Sequence, residues 1–256
     1  MKIVVLVKQV PDTEEERKLD LSTGLLDREA NEAVADEINE RALEVALRYK
    51  DGDKRSEIVV LSMGPADATK ALRKALSMGA DSAIHIVDDS LAGADIATTA
   101  AVLAAAAGQT EFDVLVAGNE STDGRGGVVP SMIAEHLGVP LLPSLDSVEI
   151  SADSVSGQVS VEGASLTLRS EYPAIISVTE RAAEARFPNF KGIMTAKRKP
   201  LATLSVADLG VVVGAGASST VLQTDERPER AAGRKIVDDG SAASELAEFL
   251  VAGRLI

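Results

Sequence analysis

Two hydrophobic periods alternate along this chain, one of a buried strand and one of a helix face. The first apolar run, "KIVVLVKQV" at residues 2–10, is nearly continuous, as expected of a strand covered on both faces. "EIVVLSMG" (57–64), "DSAIHIVDD" (81–89) and "FDVLVAG" (112–118) repeat that texture. Between them the period becomes helical. Ile38, Ala42, Val45 and Tyr49 share one face of a helix over 36–49. Pro65 opens a second helix and Gly79 closes it, each at its favoured end. Ala94 to Ala107 is an alanine-rich helix ended by Gly108, and Val129, Met132, Ile133 and Leu137 stripe a helix stopped by Gly138. Strands alternating with helices at this spacing predict an α/β fold with a mostly parallel, doubly wound sheet. From about residue 145, β-branched alternation broken by Gly and Ser predicts an added antiparallel hairpin, then a further buried strand, "AIISV". Residues 225–240 are charged and irregular, and 241–256 form a short amphipathic helix. The expected organisation is an α/β domain over 1–224 and a linker with a C-terminal helical arm over 225–256.

Composition narrows the chemistry. The chain has 256 residues, 45% of them apolar, and no Cys or Trp, so disulfides and thiolate chemistry are excluded. Val, Ile, Leu and Ala must fill the core, because aromatics are only 2%. The formal charge of −14 argues against nucleic acid as the main partner. It also makes the basic stretch 186–199, "RFPNFKGIMTAKRK", conspicuous, with five positive charges and no negative one. No apolar run is long enough to span a membrane, and the N-terminus lacks the length and cleavage site of a signal peptide, so the expected location is cytoplasmic.

The loop "GNESTDGRGG" (118–127) is the candidate ligand site. The first strand–helix junction, "VKQVPDTEEER", has no G-x-G-x-x-G, and no Walker lysine motif exists. Gly124, Gly126 and Gly127 follow a strand and precede a helix, where backbone N–H groups and the helix dipole suit an anion, and Arg125 adds a charge. A bare connecting turn fits the same spacing equally well. His85, in an apolar strand, and His136, on a helix, read as structural or solvated. No nucleophile–base pair and no metal-ligand spacing is present, which favours a protein that binds and presents over an enzyme. The basic segment reads as a loop, in which Phe187, Phe190, Ile193 and Met194 flanked by charge suit a protein-contact surface.

Taken together, "VLVKQVPD", "DREANEAVADEINERALE", "GPADATKALRKALSMGAD", "AGNESTDGRGGVVPSMIAEHLGVP", "YPAIISVTE", "RFPNFKGIMTAKRKP" and the closing "LVAGRLI" resemble the small (beta) subunit of electron-transfer flavoproteins, in its bacterial form. The resemblance runs nearly end to end. It implies a Rossmann-like fold of the adenine-nucleotide-binding type and a heterodimer whose alpha subunit holds the redox-active FAD. The small subunit would then be an electron-carrier component with no catalytic centre. Electrons would come from flavin dehydrogenases, such as acyl-CoA dehydrogenases of fatty acid oxidation, and pass to a quinone oxidoreductase.

By the family pattern a structural AMP would be lined by Leu6, by Ala33, Val34, Ala35 and Asp36, by Met63, and by Asp123, Gly124, Arg125, Gly126, Gly127, Val128 and Val129. Val10, Pro11, Asp12 and Thr13 would lie near the flavin of the alpha subunit. Phe187, Phe190, Lys191, Ile193, Met194, Lys197, Arg198 and Lys199 would dock the dehydrogenase, with Phe190 where the family usually has Leu. The common AMP loop has a run of Asp followed by Asn-Gln-Thr-Gly, which this chain lacks. The electron-bifurcating branch also tends to have Asp-Gly and a later Val and Pro here, and binds a second FAD. AMP is the expectation, because Asp123 with one nearby Arg offers no clear seat for a second flavin. A stand-alone adenine-nucleotide-binding module is the remaining alternative.

Overall fold

The computed structural model describes residues 1–256 except 213, 215, 216, 231 and 234. The elements, in chain order, are β1 (Lys2–Leu6), β2 (Gln9–Pro11), β3 (Ala33–Ala35), α1 (Glu37–Gly52), β4 (Glu57–Met63), α2 (Thr69–Met78), β5 (Ser82–Ile86), α3 (Ile96–Thr110), β6 (Val114–Gly118), α4 (Val129–Leu137) and β7 (Leu141–Leu145). There follow β8 (Ser147–Ile150), β9 (Ser154–Val161), β10 (Ala164–Glu171), β11 (Ala174–Val178), α5 (Phe190–Ala196), β12 (Leu201–Leu204), α6 (Val206–Leu209) and α7 (Ala242–Ala252). The chain divides into two compact units, Met1–Leu222 and Gln223–Ile256. The second holds α7, none of whose residues is buried.

Among the described residues, seven strands of the first unit form one parallel sheet in the order β12-β5-β4-β1-β6-β11-β7. Ile3, Val4 and Val5 have no exposed surface because both faces of β1 are covered, which is what its unbroken apolar run requires. Residues of α1 and α2 share one core with Ile3, Val5, Ile58 and Val60. Residues of α3, α4 and α6 share another with Val4, Leu61, Leu115 and Ile175. The sheet is therefore doubly wound, as the alternation of periods predicts. The expected hairpin is a three-stranded antiparallel sheet, β10-β9-β8.

Two local expectations are corrected. Helix α3 runs through Gly108 to Thr110 and ends at Glu111, whose φ of 48° breaks the helix. A Cβ on Gly108 would meet Leu137 Cδ2 at 3.3 Å, so the glycine serves close packing of α3 on α4 and does not mark a terminus. The basic segment expected to be a loop contains the short helix α5, capped by the Asn189 side chain on the Gly192 amide.

The strand order places the site. From β1 the chain steps outward through β4 to β5, then returns to the other side of β1 at β6. Where such a reversal occurs, the helices following the central strands leave on opposite faces. A crevice then opens beyond the strands' carboxyl ends.

Candidate functional site

A cavity of about 240 Å³ occupies that crevice. Its floor is made by Leu6 and Val7 at the end of β1, Leu61 and Met63 of β4, and Ala117 and Gly118 of β6. Ile96, Thr99 and Leu103 of α3 form one wall, and Val129 and Pro130 at the start of α4 another. The rim carries Lys8, Asn39 and the loop after β6, with Asn119, Glu120, Ser121, Gly124, Gly126 and Gly127.

That loop is held from behind by the first 36 residues. Asp36, fully buried, accepts from the Ile38 amide at 3.0 Å and so caps α1. Its second oxygen accepts from the Thr122 amide at 2.7 Å and the Thr122 hydroxyl at 2.8 Å. Arg17 donates to the Thr122 carbonyl and to the Pro11 carbonyl, bridging the loop to β2. Asp123 pairs with Lys8 and Arg28, both at 2.8 Å, and its side chain is 1% exposed. Burial pushes the Asp123 carboxyl up, but the Lys8 hydrogen bond and charge, aided by Ser121 and Arg28, hold it well below the usual carboxylate range.

The loop's inner surface is chemically open. The backbone N–H groups of Gly126, Gly127 and Val128 have no hydrogen-bond partner among the described residues. Val128, at the N-cap position of α4, supplies no side-chain cap. Gly127 has φ +66° and Arg125 φ 48°, so the backbone turns twice through the left-handed region just before α4. The Asn119 side-chain oxygen is buried without a partner on the cavity rim. Lys8 contributes an ammonium, and its own amide is fixed by Asn39 Oδ1 at 2.8 Å. Unpaired amides at a helix start, a lysine and apolar walls suit a phosphorylated ligand with a flat, largely apolar ring. The donor set therefore fits the phosphate of a nucleotide, with the apolar walls beside it for the base.

Of the residues expected to line a nucleotide, Leu6, Met63, Gly124, Gly126, Gly127 and Val129 are on the cavity wall. Ala33, Val34 and Ala35 form β3, which pairs with Gln9, Val10 and Pro11 of β2, and Asp36 acts behind the loop. Asp123 faces its two cations, and Arg125 and Val128 are exposed. Lys8, Asn39, Ile96 and Thr99 were not foreseen, because their convergence depends on strand order, whereas Asn119 belongs to the candidate loop without having been singled out in it. The lysine two residues past β1 was the one local signal. Val10 and Pro11 are buried in β2, whereas Thr13 is exposed. His85 is buried, meets the Thr69 hydroxyl through Nδ1 at 3.2 Å, and has its pKa lowered by burial; His136 is exposed at the end of α4.

The basic segment forms a second feature. Phe187 is 94% and Phe190 80% exposed, and Ile193 and Met194 are exposed beside them. Lys191, Lys197 and Arg198 are exposed with no ion pair among the described residues. Two other cations are engaged inward. Arg186 binds Glu44 at 2.6 Å and Asp51 at 2.8 Å, and the Lys199 ammonium donates to the Leu76 and Ala80 carbonyls at 2.9 and 2.5 Å.

A family model described as "Electron transfer flavoprotein domain" matches residues 23–209. Among curated relatives, the chain is 47% identical over 264 residues to "Electron transfer flavoprotein subunit beta" of Mycobacterium leprae (strain TN), covering 99% of each chain. It is 33% identical over 271 residues to the protein of the same name from Megasphaera elsdenii, covering 100% of each. It is 32% identical over 256 residues to "Caffeyl-CoA reductase-Etf complex subunit CarD" of Acetobacterium woodii, covering 98% of this chain and 97% of that one.

Proposed function

This chain belongs to the electron transfer flavoprotein family, as a beta subunit, and from that premise we propose that it binds one structural AMP in the switch-point cavity. Such subunits are components of electron carriers, not enzymes, and a beta subunit implies an alpha partner. In our reading the redox FAD is held mainly by that alpha subunit, near Val10 to Thr13 of this chain. The α7 arm packs on the alpha subunit. The exposed face of α5 docks flavin dehydrogenases such as acyl-CoA dehydrogenases, the electrons pass on to a quinone oxidoreductase, and the chain itself works in the cytoplasm. Among the described residues no helix is long and apolar enough to cross a membrane.

The observation that carries the nucleotide assignment is the size and lining of the cavity. At about 240 Å³ it lies just below the roughly 300–1,000 Å³ usual for small-ligand sites. The unpaired amides of Gly126 and Gly127 on its wall suit a single phosphate, and the apolar floor suits the base. Co-expression with an alpha subunit should yield a yellow heterodimer. Acid extraction should then release one FAD and one AMP per heterodimer. Two FAD and no AMP would replace this reading with the bifurcating type. A colourless chain purifying alone with exchangeable ATP would replace it with a stand-alone nucleotide-binding module.

A further inference from the structure

Helix α5 is too short to hold itself together. Seven residues, with a glycine inside, fall well below the roughly 12–15 at which an isolated helix becomes even marginally stable. Its shape must come from its attachments, and these lead to α2. Arg73 of α2 extends Nη1 to the Ala196 carbonyl at 2.8 Å and the Lys199 carbonyl at 3.0 Å, just at the end of α5. Lys199 returns the contact, donating its ammonium to the Leu76 and Ala80 carbonyls at the end of α2. The end of α5 thus receives a cation from α2, and the end of α2 one from the segment just after α5, where helix-end carbonyls and the dipole favour positive charge. Between these ties Gly192 lies against α2 so closely that a Cβ there would fall 2.2 Å from the Ser77 carbonyl oxygen. Arg73 has no carboxylate partner among the described residues, so its charge is directed at the two α5-side carbonyls.

We propose that Arg73 is a positioning residue for dehydrogenase recognition: it fixes the pose in which α5 presents Phe190 and Met194, without touching the partner itself. The inference rests on the reading of α5 as the docking element. Without Arg73, water takes over the two carbonyls, α5 frays, and its exposed apolar side chains must be ordered again at each encounter. That raises the Michaelis constant for the flavoprotein and leaves the chemical step alone.

The test uses the intact heterodimer and an acyl-CoA dehydrogenase with its acyl-CoA substrate as electron source. Arg73→Met should raise KM about tenfold, the scale of one lost charge-assisted hydrogen bond. kcat, FAD content and AMP content should stay unchanged. Backbone amides from Gly192 to Lys199 should exchange hydrogen faster, and Arg73→Lys should restore part of both effects. Gly192→Ala, which pushes α5 off its seat with Arg73 in place, should raise KM by a similar factor and carries the test if Arg73→Met does not fold. Phe190→Ala is the control for the docking reading. A raised KM for Phe190→Ala with wild-type KM and exchange for Arg73→Met overturns the inference and leaves docking by α5 standing. Wild-type KM for all variants, or a wild-type heterodimer that no acyl-CoA dehydrogenase reduces, overturns both.

Discussion

Asp36 joins the helix that begins the fold's first crossover to the loop that rims the cavity, and removing it should disturb both. In Asp36→Ala, α1 loses its N-cap, worth about 1 kcal/mol. Thr122, 5% exposed, loses the acceptor for its amide and its hydroxyl. Leaving buried donors unpaired costs a further 1–3 kcal/mol or so. A total of about 3 kcal/mol in a unit of this size corresponds to a drop of roughly 6–12 °C in melting temperature. The two consequences separate in Asp36→Ser. Serine is a good N-cap, so it should recover about 1 kcal/mol. Its side chain cannot both cap the helix and reach Thr122, so the loop stays unanchored. Thermal unfolding of the heterodimer and acid-extractable AMP, measured on both variants, read the two effects. Asp36→Ser should regain part of the melting temperature without regaining AMP. Full AMP occupancy in Asp36→Ala, or a melting temperature within 2 °C or so of wild type, would refute the idea that this carboxylate couples helix and loop.

Gly127→Val should cut AMP content and lower the melting temperature together, because a structural ligand stabilises the folded state it binds. No atom obstructs a Cβ there, but φ of +66° strains a β-branched residue, so the amide surface should turn away from the phosphate. Gly127→Asn should retain more AMP than Gly127→Val, and equal retention in both would contradict this account. Asp123 titrates below its unfolded value of about 3.9, so the stability it supplies is complete above that pH and is lost as pH falls through the folded-state value. The stability gap between wild type and Asp123→Asn should therefore be widest near neutrality and narrow progressively below about pH 4, as acid-unfolding curves can show. A gap independent of pH would mean that the pairs with Lys8 and Arg28 are not its source.

The sheet was legible because a strand covered on both faces leaves a continuous apolar run, and β1, β4, β6 and β11 each have one. The glycine loop was legible as a ligand candidate because its glycines stand between a strand and a helix. What composition and spacing could not supply was strand order. Lys8, Thr99 and Asn119 converge only because β6 returns beside β1, and nothing local to any of them encodes that return. Helix α5 escaped for a related reason. "FKGIMTA" is a poor helix alone, and its ties, Arg73 and the Ser77 carbonyl, come from more than a hundred residues earlier. Gly108 misled in the opposite direction, since a glycine chosen for helix packing has the same letter as one that ends a helix.

The cations also had to be sorted in space before their purposes separated. As a string, 186–199 carries five positive charges. In the fold, Arg186 is bound to Glu44 and Asp51, and Lys199 lies among helix carbonyls, where burial lowers its pKa. Arg17 and Arg28 are spent in the same way on the cavity loop, and Lys8 stands at the cavity rim paired with Asp123. That leaves Lys191, Lys197 and Arg198 as exposed charges around Phe187 and Phe190, on a chain of formal charge −14. Exposed pairs formed by such residues add little to final affinity, but they steer an encounter and are screened by salt. Burying one phenylalanine against a partner is worth about 1.5–3 kcal/mol and does not depend on ionic strength in that way. In the docking role proposed for this segment, its two kinds of residue would act on different rate constants: the three cations would set how fast a partner arrives, and Phe187 and Phe190 would set how long it stays.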